Sequence, residues 1–380
     1  MAAHVGTRYK APTMWKACLI FLFICNSANA QKAGGLSVIA YYAGSNPTQI
    51  DSFPVEKLTH IIFSFCHLKG NELHVDKAAD TLIIRRLVAL KQRNPNLKVM
   101  FSLGGWGGCA TCSPVFAVKD NRKAFAKSVK ELCKYFGADG IDLDWEYPAI
   151  AGYPDHPYSP QDKQNFTQLV IKLRKKLGRS REISFAAGGF NQYINESVEW
   201  KPVMKRVDRV NLMTYDLVNG FSGSTGHHTP LYSTKEQIES IDNAVQRLEQ
   251  MGVPSQKIAI GAAFYGRVWE AVLDSNSGLY QTGHFRKSVS FKNFGTELSA
   301  DSGFIYHWDD KAMAPYLYNP VQHLFVTHDD KRSIALKTQY AVDKRLGGIM
   351  FWQLGEDLFT EGLLDAIDRA KQEALKKKLN

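Results

Sequence analysis

The feature that most constrains the fold is a series of eight short apolar segments, rich in β-branched and aromatic residues, with helical stretches between them. The eight candidate strands are Ser37 to Tyr42, Thr59 to Phe65, Lys98 to Leu103, Gly140 to Trp145, Ile183 to Ala187, Val207 to Thr214, Lys257 to Phe264 and Gly347 to Trp352. Apolar residues recur at helical spacing in Asp120 to Tyr135, Pro160 to Leu177 and Thr234 to Met251. Eight strands alternating with helices favour a closed barrel over an open doubly wound sheet, so we predict an α/β fold, a (β/α)8 TIM barrel. No GxGxxG motif follows the first strand, which argues against a dinucleotide-binding fold.

One interval is too long for this pattern, because about 80 residues separate Tyr265 from the eighth strand. Residues 269–333 contain 11 aromatic side chains in 65 positions, more than the 12% of the whole chain, with strand-like pieces at Gly303 to Trp308 and His323 to Thr327. We predict a small α+β subdomain inserted between strand 7 and strand 8. On the βα-loop side of a barrel it would wall a cleft, although an excursion without ligand contact remains the alternative.

The N-terminus has the pattern of an export signal. Three basic residues, Arg8, Lys10 and Lys16, precede an apolar run from Ala17 to Cys25, and Ala28-Asn29-Ala30 offers small residues for cleavage. The run has nine residues, whereas a membrane-spanning helix needs ~20. We therefore predict a signal peptide at residues 1–30, beginning at Met1 or Met14. The protein would then be secreted, either extracellular or periplasmic, and free of the membrane after cleavage.

Composition describes an ordinary globular chain that is modestly basic. The 380 residues are 44% hydrophobic and 22% charged, with a formal net charge of +10, which excludes disordered, collagen-like and coiled-coil proteins. Part of the excess lies in the C-terminal run Lys376 to Lys378, which is typical of a solvated tail. Because we find no clustered basic face or recognised module, we expect no nucleic-acid partner. We also expect a monomer.

The cysteines and histidines do not predict a metal site. Cys109 and Cys112 form a CxxC pair, for which a redox pair, half a zinc site, free thiols and a local disulfide are open readings; an exported chain favours the disulfide. Cys66 and Cys133 lie in apolar segments and are expected to be buried. His227-His228 has no carboxylate or thiol at ligand spacing, so we expect a loop there, and neither a metal nor a cofactor.

The strongest chemical signal is the segment from Asp139 to Pro148, in which Asp142, Asp144 and Glu146 are spaced by two. On a strand these three carboxylates share one face at ~6.6 Å intervals, while the apolar residues between them take the other face. Like charge and burial raise carboxyl pKa values, so the row predicts at least one protonated acid. The alternatives are a calcium site, which would favour turn-like spacing, and a salt-bridged network.

The same segment resembles the DxxDxDxE signature of glycoside hydrolase family 18, the chitinase family. Four further segments resemble family motifs on the third, sixth, seventh and eighth strands: Phe101-Ser-Leu-Gly-Gly-Trp106, Met213-Thr-Tyr-Asp216, Tyr265-Gly-Arg267 and Gly348-Ile-Met-Phe-Trp352. Asp310 to Tyr316 and Phe325 to Asp330 resemble the closing segments of the family's insertion domain. Two positions depart from the pattern, since His328 replaces a usual Tyr and Phe221 a frequent Trp. The resemblance implies that residues 31–380 form a catalytic barrel.

Carried over from the family, Glu146 is the general acid and base, with Asp144, Asp142 and Tyr215 as its catalytic partners. The family reaction retains configuration because the substrate's own acetamide attacks the anomeric carbon and forms an oxazolinium ion. The resemblance further implies a sugar-binding set of Tyr42, Phe65, Gly105, Trp106, Met213, Asp216, Arg267 and Trp352.

We therefore expect an exported, metal-free chitinase acting on β-1,4-linked N-acetylglucosamine, with chitin or its oligosaccharides as partner. Three alternatives stay open. They are an endo-β-N-acetylglucosaminidase, a cell-wall hydrolase, and a non-catalytic chitin-binding lectin on the same fold.

Overall fold

Parallel pairing joins all eight predicted barrel strands in the computed structural model, which describes residues 1–2 and 35–379. Nearly all of the predicted signal peptide lies outside the described residues. Fourteen strands occur in the described part: β1 Ser37–Tyr42, β2 His60–Lys69, β3 Glu72–His74, β4 Lys98–Gly104, β5 Gly140–Asp144, β6 Glu182–Gly188, β7 Arg209–Met213, β8 Ile258–Ala263, β9 Tyr265–Glu270, β10 His284–Ser290, β11 Ile305–Asp309, β12 Ala314–Asn319, β13 Leu324–Thr327 and β14 Gly348–Trp352. The α-helices there are α1 Ala78–Ala89, α2 Cys112–Ala117, α3 Lys119–Phe136, α4 Asp162–Leu177, α5 Asn191–Glu196, α6 Trp200–Met204, α7 Ile241–Gln250, α8 Phe294–Glu297, α9 Lys331–Asp343 and α10 Leu363–Leu379.

The barrel closes between its first and last strands. Its strands follow the order β1, β14, β8, β7, β6, β5, β4, β2, and β1 pairs in parallel with β2 as well as β14. Each of the eight predicted strands is present, with ends within a few residues of those predicted. The predicted (β/α)8 barrel is confirmed, and its carboxyl-terminal strand ends meet at one rim, where barrels carry their active sites.

Alternation along the strands divides the apolar residues into two layers. The larger layer packs between the strands and the surrounding helices and includes Ile141 and Leu143 of β5. A small inner layer, with Tyr41 and Met350 among its members, fills the barrel lumen. Side chains of opposite parity therefore have different surroundings, which decides which residues of a strand reach the site.

The amino-terminal end of the barrel is closed by charged side chains. Glu182 at the start of β6 pairs with His60 at 2.9 Å and with Lys98, and Arg209 lies 3.7 Å from it. His60, Lys98 and Arg209 are the first residues of β2, β4 and β7. The cluster lies at the end of the barrel where sequence serves stability rather than catalysis.

The long interval between β8 and β14 folds as a second sheet. It is antiparallel with the order β10, β9, β13, β12, β11, and its two faces carry separate apolar clusters. Its first strand begins at Tyr265, directly after β8, so the sheet begins four residues before the predicted boundary at 269. The short helix α8 and several 3-10 turns connect its strands.

Some local expectations change. The helix predicted from Thr234 begins only at Ile241, because the Ser240 hydroxyl accepts a hydrogen bond from the Asn243 amide and caps it. Cys66 and Cys133 are buried free thiols, as expected. No helix in the described ranges is long and apolar enough to cross a bilayer.

Candidate active site

Three acidic side chains gather at the carboxyl end of β5. Asp142 and Asp144 lie on the strand, and both are buried. Glu146 follows two residues after the strand ends and is only partly buried. Trp145 turns the opposite way and packs between Phe116 and Phe166 in the outer layer. The alternation expected from the sequence therefore brings the acids to the barrel's catalytic rim.

Asp142 is held by four hydrogen-bond donors. Tyr41 Oη and Ser102 Oγ each donate to its Oδ2 at 3.0 Å, while Ser184 Oγ and Asn211 Nδ2 donate to Oδ1 at 2.6 and 3.2 Å. Ser102 and Ser184 lie opposite Asp142 in the neighbouring strands, so the sheet register supplies them. Burial raises the pKa of Asp142, and these donors lower it again in part. The sequence did not predict Tyr41, Ser184 and Asn211 as site residues. The only indication that the sequence offers for each is a polar group within an otherwise apolar strand.

Asp144 and Glu146 are electrostatically linked. Burial, then the neighbouring Glu146 and Asp142, raises the pKa of Asp144 well above its usual range. Its Oδ1 is buried without a hydrogen-bond partner among the described residues. Burial also raises the pKa of Glu146, to about 8; a hydrogen bond with Tyr147 lowers it and the charge of Asp216 raises it. The row can therefore keep a proton at neutral pH.

Asp216 contrasts with these acids because it is fully paired. Arg267 donates to both of its oxygens, Tyr265 Oη donates to Oδ1 at 2.8 Å, and His228 Nδ1 lies 3.4 Å away. Burial alone would raise the pKa of Asp216, but the hydrogen bonds from His228 and Arg267 hold it well below its usual range. Asp216 is therefore an anion close to carboxyl groups whose pKa values are raised. Its backbone has a positive φ of 57°.

Tyr215, next to Asp216, is buried in the inner apolar layer. Among the described residues its hydroxyl has one hydrogen-bond partner, the Met350 sulfur at 3.9 Å, which is a weak acceptor. Burial and the charge of Asp144 raise its pKa well above the usual value. The Tyr215 hydroxyl is therefore a neutral donor free to serve a bound molecule.

Aromatic rings form the floor beside the acids. Phe65 lies nearly parallel to Trp352, with centroids 5.5 Å apart and planes 15° apart, and Tyr41 lies 6.0 Å from Trp352. The peptide bonds Ser64-Phe65 and Trp352-Gln353 are both cis, as is Glu146-Tyr147. A Cβ atom on Gly105 would lie 2.3 Å from the Phe65 ring. Only glycine fits there.

The structure brings together most of the predicted sugar-binding set but not Tyr42. Tyr42 packs in the outer layer, where its ring meets Phe53 and its hydroxyl donates to the Asn46 carbonyl at 3.2 Å. The sequence predicted that Tyr42 lines the site, but it is Tyr41, one residue earlier on β1, that faces the lumen. Consecutive residues of a strand point to opposite faces of the sheet.

A group of exposed rings continues the site outward. The Trp106 side chain is 48% exposed and lies within 5.5 to 6.4 Å of Tyr153, Phe221 and Tyr147. Phe221 is 74% exposed. Met213, at the end of β7, packs on the inner apolar layer. Exposed rings on one side of an acidic site offer apolar platforms.

Cys109 and Cys112 are joined in a disulfide whose Cα atoms are 5.2 Å apart. His227 and His228 lie in a loop, as expected, and both are fully buried. His227 Nε2 lies 3.1 Å from Asp309, a carboxylate distant in sequence. Across the described ranges, no group of three or more His, Cys, Asp or Glu side chains is arranged to hold a metal ion.

Comparison with known proteins agrees with this geometry. The sequence model described as "Glycosyl hydrolases family 18" matches residues 37–357. Chitinase B from Serratia marcescens is 31% identical over 88% of this chain and 83% of its own length. Chitinase A1 from Niallia circulans is 35% identical over 72% of this chain, which spans only 42% of that relative.

Among solved structures, a family 18 N-acetylglucosaminidase from Paenibacillus barengoltzii superposes with a TM-score of 0.79 at 35% identity. The match covers 88% of this chain and 99% of that one.

Proposed function

The chain belongs to glycosyl hydrolase family 18, and from this premise we propose that it is a chitinase that hydrolyses β-1,4 bonds between N-acetylglucosamine units. Two similar proteins, one from Serratia marcescens and one from Niallia circulans, carry the name chitinase. The observation that carries the proposal is the partly buried Glu146 beside Asp144 and Asp142, with its pKa raised to about 8. At neutral pH such a group is a proton donor.

In the proposed first step, Glu146 gives its proton to the glycosidic oxygen as the bond to the anomeric carbon breaks. The carbonyl oxygen of the substrate's own acetamide forms a new bond to that carbon, giving an oxazolinium ion. In the second step, the Glu146 carboxylate takes a proton from water while the water oxygen attacks the anomeric carbon. The bond from that carbon to the acetamide oxygen breaks, which opens the oxazolinium ring. Two displacements on opposite faces retain the configuration.

Asp144 and Tyr215 hold the acetamide in this proposal. The unpartnered Oδ1 of Asp144 accepts the acetamide N–H, and its charge stabilises the oxazolinium. The Tyr215 hydroxyl, whose hydrogen-bond acceptor in the described part of the chain is the weakly accepting Met350 sulfur, donates to the acetamide oxygen. Asp142, fixed by its four donors, shares a proton with Asp144 and keeps that carboxyl oriented.

The aromatic and charged residues around the acids bind the sugars. Trp352 and Phe65 cover the apolar face of the reacting unit, where Gly105 lets the backbone approach closely. Trp106 and Phe221 support the leaving side of the chain. Asp216 and Arg267 form a fixed ion pair that offers hydrogen bonds to sugar hydroxyls.

We further propose that the protein works without a metal or cofactor, as a secreted monomer carrying its export signal in residues 1–30.

A second candidate is release of single N-acetylglucosamine units. It is favoured by the similarity, at 35% identity, to the Paenibacillus barengoltzii N-acetylglucosaminidase, whose length this chain covers almost completely. Both candidates use the same acid row and differ in how far the cleft accepts a chain. A lectin is disfavoured because Glu146 keeps the chemistry of an acid.

The test is mass-resolved product analysis with N-acetylglucosamine hexamer, comparing the parent, Glu146→Gln and Glu131→Gln. Glu131 is an exposed carboxylate on α3 that pairs with Lys127 at 3.7 Å, so it is the matched control. We expect the parent and Glu131→Gln to give dimers and trimers, and Glu146→Gln to lose about 10²- to 10⁴-fold in rate. Monomer as the first product would favour the second candidate, and intact hexamer with all three proteins would refute both.

A further inference from the structure

Two neighbouring helices on the outside of the barrel, α3 and α4 with the turn that follows α4, carry an excess of positive charge equal to the net charge of the whole protein. The stretches 119–136 and 162–181, which span α3, α4 and the turn after α4, contain 13 Lys or Arg and 3 Asp or Glu. That excess of ten equals the formal net charge of the chain, so all other residues together are balanced. No clustered basic face is visible in the sequence because the two stretches are separated by β5 and its long loop.

The lysines of the two helices meet around a groove. A cavity of about 340 Å³ is lined by Lys123 and Ala126 of α3 and by Lys172, Lys175 and Lys176 of α4. Lys123 has a carboxylate partner, Asp120, at 2.7 Å. The three lysines of α4 have no ion pair with any described residue. Ala126, which is buried, is the one lining residue without a charged side chain.

We propose that this groove, the α3–α4 groove, binds a linear anionic polysaccharide that carries carboxylate or sulfate groups. Lysines one helical turn apart present charges every ~5.4 Å, comparable to the length of one sugar unit. Lys130 and Lys134 continue the row along α3, where both are exposed. Lysine heads are hydrated point charges, suited to flexible anions rather than to bidentate recognition.

Other polyanions fit the groove less well. None of the residues lining it is aromatic, so it has no platform on which nucleic-acid bases could stack. A membrane surface would require apolar side chains beside the lysines, but on α3 and α4 the only exposed large apolar side chain is Tyr135, which contacts Arg85 and does not line the groove. A groove can also enclose a linear polymer, whereas a membrane surface is flat.

The groove shares no residue with the acid row, Trp352 or the exposed rings around Trp106. The inferred binding therefore does not depend on the proposed hydrolysis. It would hold the enzyme close to charged glycans while the barrel rim stays free.

The test measures affinity of the full chain for heparin as the probe, at several salt concentrations. The variant is Lys172→Gln, Lys175→Gln and Lys176→Gln combined; the control is Lys69→Gln, Lys235→Gln and Lys311→Gln combined. The control lysines are exposed, lie on other elements and have no ion pair in the described part of the chain. Both triple variants lose the same total charge.

We expect the α4 variant to bind heparin at least tenfold more weakly. The negative slope of log affinity against log salt concentration should decrease in magnitude by about 3. The control should stay within twofold of the parent, and all three proteins should cleave the hexamer equally. Equal losses in both variants, or no heparin binding by the parent, would overturn the proposal. Tighter binding of oligothymidylate or of phosphatidylglycerol vesicles, lost in the α4 variant, would assign the groove to a nucleic acid or a membrane instead.

Discussion

Gly105 lies against the ring of Phe65, so closely that a Cβ atom there would be 2.3 Å from the ring's Cε2 carbon. Phe65 in turn stacks on Trp352, so the backbone of one strand end sets the position of the aromatic floor. The main-chain amide of Gly105 also donates to the Asp144 carbonyl at 2.9 Å. One glycine thus connects the aromatic floor with the acid row.

Gly105→Ala should displace Phe65 and reduce kcat/KM by about tenfold or more, a loss of ~1.4 kcal/mol of transition-state stabilisation. Gly70→Ala is the matched control because Gly70 also has a positive φ, 62°, but no atom lies within 4 Å of its missing Cβ. The positive φ should cost each variant about 1 kcal/mol of stability, and Gly105→Ala should lose more because its Cβ also meets the Phe65 ring. Equal activity of the two variants would show that Phe65 tolerates the added methyl group.

Activity should decline as the pH rises through the raised pKa of Glu146, near 8, because the acid form is then lost. Asp216 imposes no limit in the mildly acidic range, since its pKa is held low. The measurement is kcat/KM against pH on a soluble oligosaccharide. An alkaline limb centred near an ordinary carboxyl pKa would contradict the assignment.

The same shift predicts a pH-dependent stability. A carboxyl group whose folded pKa is raised binds more protons folded than unfolded, so between its two pKa values its stabilising effect decreases as pH increases. Glu146→Gln removes this penalty. Its melting temperature should match the parent at pH 4 and exceed the parent increasingly up to pH 8. A constant difference across that range would mean that Glu146 does not titrate with a raised pKa.

Tyr41→Phe should lower kcat, because it removes a donor to Asp142 and the acceptor for Asn211 Nδ2 at 2.9 Å. Loss of one buried hydrogen bond should cost about 1 kcal/mol of stability. Tyr42→Phe is the control, since the Tyr42 ring packs in the outer layer and its hydroxyl donates to the Asn46 carbonyl rather than to an acid. If Tyr42→Phe impaired hydrolysis and Tyr41→Phe did not, the assignment of the two faces of β1 would be reversed.

Lys337→Met should destabilise the fold by about 3–5 kcal/mol, because Lys337 and Asp329 form a fully buried ion pair and the remaining carboxylate would be left uncompensated. Lys344→Met is the comparison, since Lys344 is exposed and lies 3.9 Å from Asp242, so its loss should cost less than 1 kcal/mol. Urea unfolding of both variants measures the difference. Similar midpoints would mean that the buried pair contributes no more than the surface pair.

Much of the secondary structure of this protein is determined by neighbouring residues and can therefore be predicted from the sequence. The alternation of apolar strands with helices predicts the barrel, because strand and helix periods are imposed by backbone geometry within a few residues. The spacing of Asp142, Asp144 and Glu146 predicts that they share a face, since the two-residue period of a strand needs no distant partner.

Tertiary structure alone decided the rest, because it depends on residues distant in sequence. Tyr41, Ser102, Ser184 and Asn211 converge on Asp142 from four other strands through the register of the barrel. The choice of Tyr41 over Tyr42 followed from which face of β1 is turned to the lumen. The buried partners of His227 and His228, and the lysine groove between α3 and α4, likewise arise only when separate segments pack together. The sequence determined which side chains each element carries, and packing determined which of them meet.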